Sequence, residues 1–219
     1  MSRRDFTGER LHTADELFSV DLARHRAAYE FARTRGDDGW LLDLGSGSGH
    51  GAAELATSRP RVAAVDRIAP DPNLRDCGAA FVVGDLRSLP LASGAFLRVL
   101  SFQVIEHFDD PGVYLDALES AVHPEGEVIL TTPNRLTSDG VNPYHLREYT
   151  AAELEALLTT RFSEVEIRGT GASPPVRAWF DGRNRRVAAI LRLDPLRLRE
   201  RLPKAVVHFL FAKLAVLVR

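Results

Sequence analysis

The chain has 219 residues, 45% of them hydrophobic and 26% charged, with a formal charge of −2. That length suits one α/β domain with an attached segment, and the near-neutral balance gives no electrostatic reason to expect nucleic acid as a partner. The single cysteine, Cys77, permits no internal disulfide and points to a reducing, cytoplasmic setting. We expect no secretory leader, because Met1 to Phe6 lack an apolar core, and no run reaches the ~18 apolar residues of a membrane span.

The first strong signal is Trp40-Leu41-Leu42-Asp43-Leu44-Gly45-Ser46-Gly47-Ser48-Gly49-His50-Gly51, followed by a helical segment from Ala52 to Ser58. A short apolar run that breaks into glycines and leaves as a helix is the nucleotide-binding corner of a doubly wound fold. Glycines suit such a corner because backbone can lie against a ligand with no Cβ between them. An ordinary strand-to-helix turn is the plain alternative. A dinucleotide fingerprint wants glycine at the first, third and sixth loop positions, yet the sixth position from Gly45 is His50. Asp43, two residues before the first glycine, would repel a pyrophosphate and attract an ammonium or sulfonium. The loop is therefore read as built for a cationic cofactor.

Four more apolar runs follow. Val62 to Val65 ends at Asp66, seventeen residues past Gly49, where an acid at the second strand's end accepts ribose hydroxyls. Phe81 to Gly84 ends at Asp85, placed for an adenine amine, with Leu86 or Ile68 for the ring face. Leu97 to Phe102 leads into Gln103-Val104-Ile105-Glu106-His107, and Glu127 to Thr131 is the fifth run. The alternation predicts a mostly parallel sheet with helices on both faces. Any one acid is more often a helix cap than a ligand, but three in this order fall together at the carboxyl edge of such a sheet.

Between the fifth run and the next helix stand Thr132-Pro133-Asn134-Arg135 and Asn142-Pro143-Tyr144-His145-Leu146-Arg147-Glu148-Tyr149. A long connection of this kind tends to be functional, and it should roof the acceptor side of the pocket. Thr150-Ala151-Ala152-Glu153 reads as a capping box, and Phe162 to Ile167 as a sixth strand. From Arg177 onward the chain carries 11 basic and 3 acidic residues and an apolar helical stretch over Lys204 to Arg219. That stretch either packs on the core or a second subunit, or lies on an anionic membrane surface. Three segments are expected: a lead-in helix over 1–36, the cofactor-binding core over 37–170, and a basic helical tail over 171–219.

The glycine loop resembles motif I of the class I S-adenosylmethionine methyltransferases. Phe102 to His107, the Thr132-Pro133-Asn134-Arg135 turn and the Asn142 to Glu148 block resemble, together, a bacterial group that includes actinobacterial sugar O-methyltransferases. Thr7-Gly8-Glu9-Arg10 and His25-Arg26-Ala27-Ala28-Tyr29 resemble that group's lead-in. The likeness implies a Rossmann-like fold that binds S-adenosylmethionine. Asp43, Gly45, Ser46, Gly47 and Gly49 would hold the methionine end, Asp66 and Arg67 the ribose, and Asp85 and Leu86 the adenine. Gln103 and Val104 would line the methyl-bearing side. The chain departs from the class pattern in having no clear seventh, antiparallel strand.

For a sugar hydroxyl as nucleophile, a positioned base contributes ~10²–10⁴-fold, and His145 and His107 are the candidates. His107 is also read as a helix cap, and His145 as a loop hydrogen-bonder. Glu106, Asn134, Tyr144 and Arg147 are candidate acceptor contacts. His12, His50, His123 and His208 are read as structural or surface residues. No compact group of acids and histidines with metal-ligand spacing stands out in the sequence. The acceptor is expected to be a small molecule, a saccharide first. The rival acceptor is a lipid quinone or another small apolar compound at a membrane surface. A non-catalytic S-adenosylmethionine-binding role is the alternative of another class. Amino-methylation of DNA or protein is disfavoured, because no proline turn follows the fourth run.

Overall fold

A computed structural model describes residues 19–36, 39–138, 140, 142–171, 173–192, 202–203 and 206–207. The Thr7 to Arg10 lead-in, His12, His208 and, apart from Val206 and Val207, the expected Lys204 to Arg219 helix lie outside the described residues. No helix among the described residues is long and apolar enough to cross a membrane.

Five parallel strands form one sheet: β1 Trp40–Leu44, β2 Val62–Asp66, β3 Ala80–Val83, β4 Phe96–Phe102 and β5 Val122–Thr131. Their order is β3-β2-β1-β4-β5, so the winding reverses between β1 and β4. A crevice opens outside the carboxyl ends of the strands at such a switch point. The expected doubly wound α/β architecture is therefore the one observed. The strand residues alternate between two cores, as the period of two requires. Leu42, Leu44, Ala63, Val65 and Val99 pack with Leu115 and Leu118 of helix α3 (Pro111–Ala121) and Leu158 of helix α4 (Ala151–Leu158). Leu41, Val62, Ala64, Leu100 and Phe102 pack with Tyr29 and Ala32 of helix α1 (Ser19–Arg33) and Ala52 and Leu55 of helix α2 (His50–Ala56).

The chain divides into two compact units. One comprises His25–Asn134 and Leu146–Ile167 and holds the whole sheet. The other comprises Met1–Arg24, Arg135–His145 and Arg168–Arg219, with helix α5 at Pro174–Leu191. In the second unit the Arg24 guanidinium lies 5.3 Å from the Phe180 ring centre. The sheet unit thus begins inside α1, at His25. A strap at the amino edge of the sheet explains this. Arg98 on β4 donates to the carbonyls of Arg35 and Gly36 and, at 2.7 Å, to Glu127 of β5, and Arg59 donates to Gly36 at 2.8 Å. The loop after α1 is thereby tied to β4.

Two strand expectations are corrected. β5 begins at Val122, five residues before the expected Glu127, because Phe96 pairs with Val122 before a register shift in the ladder. Phe162 to Ile167 is not a strand. Phe162, Val165 and Ile167 pack against the core while the residues between them face solvent, but Phe162 and Val165 are three apart, so the strict alternation of a strand is not kept. A strand also needs a neighbour for its backbone groups, and no described ladder pairs this stretch. By contrast the capping box is present: Glu153 N–H donates to Thr150 Oγ1 at 3.2 Å, and Thr150 N–H to the Glu153 carboxylate at 2.8 Å.

Candidate active site

The site grows from the loop that leaves β1. Gly45 and Ser46 N–H both donate to the Val65 carbonyl, at 2.8 and 3.1 Å, which folds the loop over the end of β2. Gly47 then turns with φ 58°, and a Cβ built on it would meet nothing within 4 Å. The glycine is therefore kept for a conformation L side chains avoid, beside open space where a ligand can approach. Gly49, also left-handed, caps α2. At Gly45 a Cβ would come within 2.5 Å of Val104, so the loop rests on the tail of β4.

Asp66 ends β2 and locks this loop. Its two oxygens accept from Gly47 N–H at 2.8 Å and Ile68 N–H at 3.0 Å. Each carboxylate oxygen has capacity for a further donor, as a vicinal diol would require. Arg67 is exposed beside it. Asp85 caps the turn Leu86–Ser88, accepting from Arg87 N–H at 2.9 Å and pairing with the Arg87 guanidinium at 3.4 Å. Leu86 is buried in the α3-facing core rather than laid open at the edge.

Asp43 is the unusual acid. It is 1% exposed and faces the α1–α2 side, where Tyr29 Oη donates to Oδ2 at 2.9 Å. Burial, more than the neighbouring charge of Asp66, pushes its carboxyl up to about 7, against the opposing pull of the Tyr29 hydrogen bond. A carboxylate so placed is poised to respond to a nearby cation. Tyr29 was a feature of the lead-in but carried no predicted role. The signal that could have found it is Gly51, a glycine in the first turn of α2: a Cβ there would lie 2.0 Å from the Tyr29 ring.

On the far side, β4 ends in strain. Gln103 has φ 59°, uncommon for a side chain of its kind, and such conformations concentrate at functional sites. Its N–H donates to the Thr131 carbonyl at 2.8 Å and its carboxamide to Thr131 Oγ1 at 3.2 Å. Val104 is buried against Gly45. Next, Ile105–His107 form a single 3-10 turn. Glu106 is fully buried there: its Oε2 accepts from Thr132 Oγ1 at 2.9 Å, and its carbonyl accepts from Leu146 N–H at 2.7 Å and Arg147 N–H at 3.2 Å. Through its carbonyl Glu106 therefore ties the return of the long connection to the turn that follows β4. His107 is half-buried on the same turn.

Asn134 is exposed and bridges Tyr149, which closes the base of the connection, and the Arg147 guanidinium covers the Tyr149 ring at 4.9 Å. In the other unit, Asn142 Oδ1 accepts from Tyr144 N–H at 3.0 Å, and its Nδ2 lies 2.8 Å from His145 Nε2. The backbone donor fixes the carboxamide's direction, so Nδ2 donates and the His145 proton resides on Nδ1. His50 pairs with Asp71 at 3.6 Å and His123 accepts from Glu125 N–H, both structural uses.

The methyltransferase domain family matches residues 19–167 of this chain. A protein of Mycolicibacterium smegmatis named "Probable S-adenosylmethionine-dependent methyltransferase" is 34% identical over 168 residues, which is 73% of this chain and 65% of that one. One from Mycobacterium tuberculosis with the same description is 31% identical over 180 residues, 78% of this chain and 66% of that one. The chain thus spans just under two thirds of the length of these curated relatives. Among solved structures, the Burkholderia thailandensis 1,6-didemethyltoxoflavin-N1-methyltransferase, with bound 1,6-didemethyltoxoflavin and S-adenosylhomocysteine, is 26% identical with a TM-score of 0.57, covering 67% of this chain and 69% of that one. The chain belongs to the class I S-adenosylmethionine-dependent methyltransferase family. Its residues fit that cofactor: an open glycine face at Gly47, a buried carboxyl at Asp43 able to ionise toward a cationic amino-acid end, and at Asp66 a carboxylate with capacity for a diol.

Proposed function

We propose that the protein is an S-adenosylmethionine-dependent O-methyltransferase acting on a hydroxyl of a sugar or glycolipid-type acceptor, with a histidine as general base. When bound, the cofactor supplies a sulfonium-activated methyl group, and the protein's task is alignment of the incoming oxygen with it. Asp43, Gly45, Ser46, Gly47 and Gly49 hold the methionine end, Asp66 and Arg67 the ribose, Asp85 the adenine edge, and Gln103 and Val104 line the methyl-bearing side. Asn134, Tyr144 and Arg147 contact the acceptor.

The observation that carries the hydroxyl reading is the Asn142–His145 pair. The Asn142 carboxamide nitrogen, a donor only, lies 2.8 Å from His145 Nε2. An acceptor hydroxyl that takes the carboxamide's place meets a basic nitrogen in the tautomer that removes its proton. His107 is the second candidate for this role. A small apolar acceptor is the other reading, favoured by the half-exposed Leu146 beside the Glu106 tether and by the small heteroaromatic bound in the Burkholderia relative. The reading includes a cytoplasmic setting, with the basic C-terminal segment meeting a lipid-linked acceptor's membrane or a second subunit.

The test is a screen of saccharide, quinone and heteroaromatic acceptors with methyl-labelled cofactor, followed by His145→Ala and His107→Ala. Label on a sugar oxygen, lost about 10²-fold in His145→Ala with cofactor affinity retained, is the expected outcome. Label only on nitrogen or carbon, or wild-type rates across pH in both variants, refutes the hydroxyl-and-base reading.

A further inference from the structure

Tyr29 is joined to the cofactor side of the sheet by more contacts than packing requires. Its ring meets Phe102 of β4 edge-on, centres 4.8 Å apart, and His25 at 5.3 Å. Its hydroxyl is buried against Asp43 at 2.9 Å, and Gly51 leaves the space the ring fills. Beyond the helix, Arg98 and Arg59 strap the Arg35 and Gly36 carbonyls to the sheet, which fixes the end of α1. A phenylalanine would satisfy the packing alone. A buried hydroxyl is costly unless it is hydrogen-bonded, so its presence here needs the Asp43 partner.

We propose that Tyr29 is a positioning residue of the cofactor site, holding the Asp43 carboxylate in place so that docking of the lead-in helix and binding of the cofactor's cationic end are coupled. The inference rests on the reading of Asp43 as the acid that meets the methionine end. The groups facing this pair are Asp66 on β2, Glu54 on α2 and His25 on α1. Burial first, then the Asp43 charge, holds the Tyr29 hydroxyl well above 10, so it remains a donor at neutral pH. Its hydrogen bond lowers the proton affinity of Asp43 against burial and Asp66, which raise it to about 7. The anion therefore gains population as pH rises through neutrality. Loss of the Tyr29 hydroxyl displaces that rise to higher pH.

The experiment is calorimetric titration of S-adenosylmethionine from pH 6 to 8 into wild type, Tyr29→Phe, Asp43→Asn and Asp66→Ala, with melting temperatures of each. Tyr29→Phe is expected to lose about tenfold in affinity at pH 7, with the gap to wild type closing as pH rises. Asp43→Asn binds more weakly with little pH dependence. Wild-type affinity in Tyr29→Phe alongside lost binding in Asp66→Ala overturns this proposal alone. A loss in Tyr29→Phe that is the same at every pH overturns it too, since packing alone would give that. Unchanged affinity in Asp66→Ala as well overturns the site reading beneath it. Should Tyr29→Phe not fold, a wild-type pH profile in Asp43→Asn overturns the proposal.

The unbound protein offers an independent readout. Asp43 holds a proton in the folded chain between the ordinary value of 3.8 and about 7, so its contribution falls as pH rises through that window. Asp43→Asn escapes this loss. It should melt higher than wild type at pH 8, by an amount that shrinks toward pH 5. A constant difference between the two proteins would overturn the poised-carboxylate part of the argument.

Discussion

The two sides of the crevice are made of different material. On the β1–β2 side recognition is largely main chain: Gly47 and Ile68 amides on Asp66, Gly45 and Ser46 amides on the Val65 carbonyl, and Gly84 N–H on the Asp66 carbonyl at 2.9 Å. On the β4–β5 side the ties involve side chains as well: Gln103 on Thr131, Thr132 on Glu106, and two amides of the returning connection on the Glu106 carbonyl. The first arrangement tolerates almost any neighbouring side chain but demands glycines. The second tolerates backbone variation but depends on particular partners. On the proposed function, the cofactor meets the first and the acceptor the second.

This contrast predicts that damage on one side is read in cofactor affinity and damage on the other in turnover. The largest effect should come from Asp66→Ala. It removes the acceptor of two loop amides and, on the proposed reading, of the ribose diol, and should weaken S-adenosylmethionine binding by roughly 100-fold in calorimetry. Glu106→Gln should be smaller and of the opposite kind. Methyl transfer is expected to fall about tenfold, with cofactor affinity within about twofold of wild type, because the charged acceptor that orders Thr132 at the start of the connection is replaced by a neutral amide. Loss of cofactor affinity in Glu106→Gln would break the division between the two sides.

Legibility in the sequence follows the same division. The turn of the glycine loop and the acid that ends β2 could be read as structure because main-chain contacts leave local marks: a glycine where φ is positive, an acid at a strand end. The Thr150–Glu153 box could be read because its partners lie three residues apart. The role of Glu106 could not, since its hydroxyl partner is 26 residues away and its amide partners lie further still. Tyr29 and Asp43 are likewise 14 residues apart and meet only once α1 packs on the sheet. The Phe162 to Ile167 stretch failed as a strand for the complementary reason. Its apolar residues are a property of the sequence, but a ladder is a property of two segments, and the second is absent among the described residues.

The smallest predicted effect tests the acceptor side most directly. Thr132→Val keeps the shape of the side chain and removes the hydroxyl that donates to Glu106 Oε2 at 2.9 Å. A buried carboxylate deprived of one donor should lower stability by about 1–2 kcal/mol, seen as a lower urea midpoint at unchanged slope. Turnover should fall only a few-fold, since the carbonyl of Glu106, not its carboxylate, holds the Leu146 and Arg147 amides. Combining Thr132→Val with Glu106→Gln then separates two accounts of the tether. If the Thr132–Glu106 bond orients the 3-10 turn, the double variant should be slowed by less than the product of the two single losses, because both residues act through one interaction. If the two losses multiply, each residue acts through a contact of its own. The carboxylate would then have a purpose on the acceptor side beyond holding Thr132.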